Sequence, residues 1–303
     1  MSSAPYRIAA RIEAALTASR PVVALESTIV THGMPWPRNV EVATEVEAAI
    51  RAEGAEPATI AVLGGELVIG LDADELRTLA RSREVRKLSS ADLAHAIVAG
   101  DDGSTTVAAT MAAMTACGIR VFATGGIGGV HRGAEQDFDI SADLDALAGN
   151  ELVVVCAGPK AILDVPKTLE ALETRGIPVV AMGSDNLPTF WSRDGDLAAP
   201  LRLDEAAQIA RLVEMRRQLS QRGSVLVAVP VPSDSAIPSA EIGAAIETAL
   251  AEAAERRVSG KEVTPFLLSR MLDLTGGRSL EANVALILNN ARHAARIAAA
   301  LAR

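Results

Sequence analysis

The chemistry-bearing residues cluster just after short apolar runs. Lys160 lies in VVVCAGPKAILD, past a stretch that reads as a buried strand. Among Ala, Gly and Pro it would be partly stripped of water, and at a helix start the dipole would further disfavour its charge. Both effects expose the lone pair that a Schiff-base nucleophile needs. A solvated lysine on an ordinary strand-to-helix turn has the same local sequence, and on position alone it is the commoner case. Glu26, in VVALESTIVTHGMP, follows another such run and could act as a general acid or base. An N-cap or a loop salt bridge is the plainer alternative, and His32 in the same run is equally ambiguous.

Other segments suggest ligand contacts. GDDGSTTVAATMAAM reads as a loop opening a helix, whose N–H groups and the hydroxyls of Ser104, Thr105 and Thr106 would cradle a phosphate. A simple N-cap would look similar. Lys87 could add a positive charge, although alone it reads as a surface lysine. ATGGIGGVHRG is glycine-rich but matches neither the dinucleotide fingerprint nor a Walker loop. Its glycines would let backbone approach a ligand closely, with His131 and Arg132 as contacts, or would simply form a turn. DFDISADLDAL brings Asp137, Asp139, Asp143 and Asp145, oxygen ligands of the kind hard divalent ions prefer, and equally good as helix caps. Asn283 and Asn290 fall about two helical turns apart, on one face.

These residues need elements to hold them. The pattern predicts strands over 21–25, 58–63, 119–123, 151–156, 177–182 and 224–229, with a short hairpin strand over 66–69. Helices are predicted from Asn39 as cap to residue 53, from Ser90 to 99, and from Ser104 or Thr105 to 117. Others follow Pro166 to 175 and run near 204–219, 239–256 and 279–300. The alternation predicts an α/β protein, a largely parallel sheet between helical layers, as one domain over residues 1–303. Ligands then belong beyond the C-terminal strand ends.

Composition agrees. Of 303 residues 49% are hydrophobic but only 2% aromatic, so the core must be aliphatic. A net charge of -9 argues against a nucleic-acid partner, which requires clustered Lys and Arg. Two isolated cysteines, the lack of a leader-like apolar segment near the N-terminus, and no apolar run long enough for a membrane lead to an expectation of a cytoplasmic protein.

Taken in order, LESTIVTHGMP, GSTTVAATM, ATGGIGGVHRGAE, FDISADL, CAGPKAILD, TLEALETRGIPVV, GKEVTPFLL and LTGGRSLEANVALILNNA resemble the pseudouridine-5'-phosphate glycosidase family over roughly residues 20–300. The resemblance implies an α/β/α fold, a homotrimer, and cleavage of the C–C bond joining uracil to ribose 5-phosphate, a reversible reaction. It implies Lys160 as Schiff-base lysine, Glu26 as proton donor, and Lys87 and Val107 as phosphate contacts. It further implies Asp139 as the Mn2+ ligand, Ser141, Ala142 and Asp143 as substrate contacts, and His131 and Asn283 as further ligand-side residues. Two positions depart from the family pattern: Val229 stands where an Asn is expected, and Ser233 where an acidic residue is. Two other readings share the lysine or the phosphate cradle: a class I aldolase or isomerase acting on another sugar phosphate, and a non-catalytic sugar-phosphate-binding protein.

Overall fold

The computed structural model describes residues 6–193, 195–258 and 263–302. The opening of GKEVTPFLL, residues 260–262, lies outside them. Eleven strands form among the described residues: β1 (Tyr6–Ile8), β2 (Val22–Leu25), β3 (Glu56–Leu63), β4 (Glu66–Ile69), β5 (Arg86–Leu88), β6 (Gly103–Thr105), β7 (Val121–Ala123), β8 (Val153–Cys156), β9 (Val179–Met182), β10 (Leu201–Leu203) and β11 (Val225–Ala228). The helices are α1 (Ala10–Thr17), α2 (Thr28–His32), α3 (Arg38–Ala52), α4 (Ala73–Arg81), α5 (Leu93–Ala99), α6 (Val107–Cys117), α7 (Ala134–Asp137), α8 (Asp143–Gly149), α9 (Val165–Thr174), α10 (Ala206–Gln218), α11 (Ser239–Glu255), α12 (Val263–Leu274) and α13 (Arg278–Leu301).

The sheet runs β1-β4-β3-β2-β7-β8-β11-β9-β10, with β6 paired to β3 and β5 to β6. Only β3–β4 and β3–β6 are antiparallel. The largely parallel sheet between helices is therefore present. The reason is visible in the central strands, which are buried on both faces. Val23, Leu25, Val153 and Val155 point into one core beneath α3 and α11–α13, and Val22, Ala24, Val154 and Cys156 into another beneath α1, α6, α8 and α9. Alternation of period two thus feeds both helical layers.

The six predicted strands and the hairpin all form, with ends displaced by a residue or two. Three predicted caps are wrong. Helix α3 begins at Arg38, so Asn39 lies inside it, and its buried amide donates to the carbonyls of Val30 (2.7 Å) and Ala80 (2.9 Å), tying α3 to α2 and α4. Ser89, not Ser90, caps the turn before α5, through a reciprocal pair with Asp92. Residues 103–105 are strand β6, which pushes the cap of α6 on to Thr106. A three-residue edge strand has too little pattern to be seen in sequence. No described helix is long and apolar enough to cross a membrane.

Candidate active site

Strands β2, β7 and β8 are neighbours in the sheet, and their C-terminal ends deliver Glu26, Gly125, Gly126 and Lys160 to one cleft. The cleft has two halves that share Glu26, Thr28, Lys87, Lys160 and Thr264. One half, of about 320 Å³, is polar, with Thr106, His131, Asp139 and Ser141 on its walls. The other, of about 90 Å³, is apolar, with Met34, Phe190, Leu268 and Leu286 around Asn283 and His32.

Lys160 is half-buried, and its backbone N–H donates to Ile127 (3.1 Å), which pins it to the glycine-rich loop. It does not stand at a helix start: a turn follows it, and α9 begins at Val165 with Asp164 as cap. The positive end of a helix dipole therefore does not bear on its charge. Cys156 lies just before it, fully buried, and burial pushes its thiol up to about 12. That leaves the lysine without a competing thiolate at this strand end.

Glu26 is half-buried and gripped on both oxygens. The Thr124 hydroxyl donates to Oε1 and the Thr28 hydroxyl to Oε2. Between them Ser27 faces inward, donating to the Ile60 carbonyl (2.6 Å) and accepting from the Thr105 N–H (2.9 Å).

The polar half surrounds the start of α6. Asp143 is buried and bridges two backbone segments: it accepts from the N–H groups of Ala108 (3.0 Å) and Gly128 (2.7 Å). Thr106 caps the Ala109 N–H at 3.4 Å, leaving the Val107 N–H at the cleft wall. The cradle is smaller than expected. Thr105 is wholly buried, donating to the Ile60 carbonyl (2.8 Å) and accepting from Thr110 (2.9 Å), so its hydroxyl does not reach a ligand. Ser104 is likewise buried, accepting from Thr31 at 2.8 Å. Both belong to β6, whose side chains pack inward. Lys87, on β5, reaches both halves.

Ser141, Ala142, Asp143 and His131 all line the polar half. Burial holds the His131 imidazole below its usual value, helped by the charges of Lys160 and Lys87 and opposed by Asp139 and Asp137. The four aspartates do not converge. Asp145 pairs with Arg175 (2.7 Å), Asp137 accepts from the Asp139 N–H (2.9 Å), and Asp143 holds backbone. Asp139 alone of them is left to the cleft as a side chain, with His131 Nδ1 at 3.9 Å. No three His, Cys, Asp or Glu residues gather as a metal cage among the described residues. A lone carboxylate suits only an ion that keeps most of its waters, as Mg2+ and Mn2+ do.

The glycine-rich loop answers to packing as much as to any ligand. A Cβ on Gly128 would lie 2.2 Å from Ser141 Oγ and 2.9 Å from an Asp143 oxygen, so this glycine lets the two wall segments meet. The apolar half is lined in part by residues that the sequence did not single out as candidates. Phe190 adopts a left-handed backbone (φ 64°) and turns its ring to the cleft, edge-on to the buried Trp191 at 5.0 Å. The Trp191 indole donates to Asn283 Oδ1 (2.7 Å), so the Asn283 NH2 is the end turned from the tryptophan. Asn290, two turns on, holds the Thr124 carbonyl instead (2.9 Å). Trp36 is 43% exposed and stacks under Arg81 at 4.5 Å. Val229 is buried in the core and Ser233 opens a short turn.

Comparison with known proteins gives a consistent set of relatives. The chain matches the family described as "Indigoidine synthase A like protein" over residues 11–300. It is 60% identical over 290 residues to a pseudouridine-5'-phosphate glycosidase of Paracoccus denitrificans, covering 95% of each chain. A protein of the same name from Methylobacterium nodulans is 59% identical, over 97% of this chain and 87% of its own. Among solved structures, the prealnumycin C-glycosynthase AlnA in complex with ribulose 5-phosphate superposes with a TM-score of 0.91 at 37% identity, covering 99% and 98% of the two chains. An indigoidine synthase A-like protein of Thermotoga maritima gives 0.91 at 34%, covering 100% and 99%.

Proposed function

The chain belongs to the pseudouridine-5'-phosphate glycosidase (indigoidine synthase A-like) family, and from that premise we propose that its cleft releases uracil from pseudouridine 5'-phosphate through a Schiff base on Lys160. The observation that carries this reading is the position of Lys160 and Glu26 at the junction of a polar and an apolar half-cleft. The ribose phosphate fits the polar half, against Lys87, Thr106 and the Val107 N–H. Uracil fits the narrower apolar half, where the Asn283 NH2 can donate to a ring carbonyl. The reacting C1' then lies at the junction.

The bond to be broken is carbon–carbon, so direct heterolysis would leave a poor carbanion. The lysine lone pair forms an N–C1' bond as the C1'–O4' bond breaks, and Glu26 supplies the proton that O4' takes. The nitrogen, cationic after the attack, passes a proton to the Glu26 carboxylate, Glu26 delivers it to C5 of uracil, and the lysine nitrogen then pushes its freed pair toward C1'. The C1'–C5 bond breaks with its electrons entering the uracil ring, and an iminium remains on Lys160. Water adds to it, releasing ribose 5-phosphate and the free amine, and the proton set free returns to Glu26. An iminium thus replaces a costly carbocation. The phosphate is a remote anchor whose binding energy holds C1' beside the amine.

Asp139, with His131 beside it, would hold a divalent ion such as Mn2+. When bound, that ion would orient water or polar groups of the substrate in the cleft mouth. An aldolase or isomerase on another sugar phosphate would keep the lysine but has no use for the apolar half with Asn283. The test is incubation with pseudouridine 5'-phosphate and Mn2+, with chromatography of uracil. Release by the wild type and not by Lys160→Ala is expected. No uracil from the wild type would overturn the reading.

A further inference from the structure

We propose that Thr28 and Thr124 are positioning residues that hold the Glu26 carboxyl in register through both of its protonation states. The proposal rests on the acid role given to Glu26 above. Each hydroxyl takes one carboxylate oxygen, so rotation about the terminal bond of Glu26 is blocked from two sides.

The two clamps come from different elements. Thr28 is the first residue of α2, and Thr124 leaves the end of β7. Thr124 is itself fixed: it is fully buried, its N–H donates to Val155 (3.0 Å), and its carbonyl accepts from Asn290 Nδ2 (2.9 Å). Strand β8 and helix α13 therefore set the hydroxyl that sets Glu26. This accounts for a buried Asn and two threonines that binding alone does not require.

The choice of hydroxyls has a chemical reason. Lysine, arginine or backbone N–H can only donate, and would favour the ionised carboxylate. A hydroxyl donates to a carboxylate and accepts from a carboxylic acid. The grip therefore survives when Glu26 loses its proton to O4' and when it regains one before the next turnover. An acid that must be reset each cycle without moving needs partners of this kind.

The test compares Thr28→Val, Thr124→Val, their Ser counterparts and Glu26→Gln, measuring kcat and KM for pseudouridine 5'-phosphate across pH. Valine keeps the shape and removes the hydroxyl. Each Val variant is expected to lose kcat, by on the order of 10²-fold for Thr124, with little change in KM and a displaced pH–kcat limb. Serine should restore most of the rate. In the Glu26→Gln background the Val changes should add little, because the residues act as a unit. Wild-type kcat in both Val variants, alongside an inactive Glu26→Gln, would overturn the clamp and leave the acid role standing. A change confined to KM would make the threonines substrate contacts and overturn it too. Wild-type kcat in Glu26→Gln would instead remove the acid role, and the clamp with it. Should Thr124→Val not fold, Thr28→Val and the Ser variants decide.

Discussion

The two halves of the cleft are built in opposite ways. Much of the polar half comes from two short contiguous runs, Thr106–Val107 at the start of α6 and 139–143 leading into α8, held to one another and to the glycine-rich loop largely by Asp143. The apolar half is gathered from α2, the loop around Phe190, α12 and α13, elements far apart in the chain. One half offers polar side chains and the start of α6, and the other a narrow apolar slot. A phosphate needs directional N–H groups and positive charge. A flat heterocycle needs area and one or two polar contacts. The proposed placing of phosphate and uracil follows that division, with Lys160 and Glu26, the proposed reacting groups, where the halves meet.

The largest effect should come from the junction, because neither half can do the chemistry alone. Lys160→Ala is expected to lower turnover by roughly 10³-fold or more. Borohydride added during turnover should give the wild type a stable mass increase that the variant lacks. A wild type that never acquires the adduct would break the Schiff-base scheme.

Next comes the anchor. Removing the substrate phosphate is expected to reduce kcat/KM by on the order of 10²-fold or more, since its binding energy positions C1'. Lys87→Ala should harm the phosphorylated substrate far more than the nucleoside. Equal losses on both would mean that Lys87 serves the junction rather than the polar half.

The same division explains what could be read in the sequence. The polar half was largely legible because a strand, a turn and a helix start are local, and their Gly, Ser, Thr and Asp carry local meaning. Even so, Thr105 was misassigned, because strand β6 is too short to show its period and turns that hydroxyl inward. The central strands were legible because burial on both faces leaves unbroken Val-rich runs. The apolar half was not. Phe190, Leu268 and Leu286 look like core in any window, and only the tertiary fold decides that one face of each meets a cleft. Asn283 could be flagged as a polar residue on an apolar face. Its tryptophan partner, 92 residues away, could not.

Asn283→Ala tests the apolar half directly. A loss in kcat/KM of about 10- to 100-fold is expected, the usual cost of one buried polar contact to a ligand. Uracil should inhibit more weakly, and ribose 5-phosphate as before. Weakened inhibition by both would show that the halves are not independent, with α13 as their common support.

The smallest effect concerns that support itself. At its far end α13 is tied to the end of α3 by Arg296, whose guanidinium donates to both oxygens of Glu53 at 2.9 and 2.7 Å. That pairing holds the Glu53 carboxyl below its usual value near 4.5. A depressed carboxylate contributes stability above its unfolded value, and loses it as pH falls through the folded one. Arg296→Met should therefore lower Tm slightly at neutral pH, by less than about 1 kcal/mol in stability because the pair is half in solvent. The difference from wild type should shrink as pH drops below about 4.5. Thermal melts across pH measure this, and kcat and KM should not move. A change in uracil inhibition here would mean that the slot depends on the whole length of α13. The apolar half would then be held by distant tethers, while the polar half is held by its own hydrogen bonds.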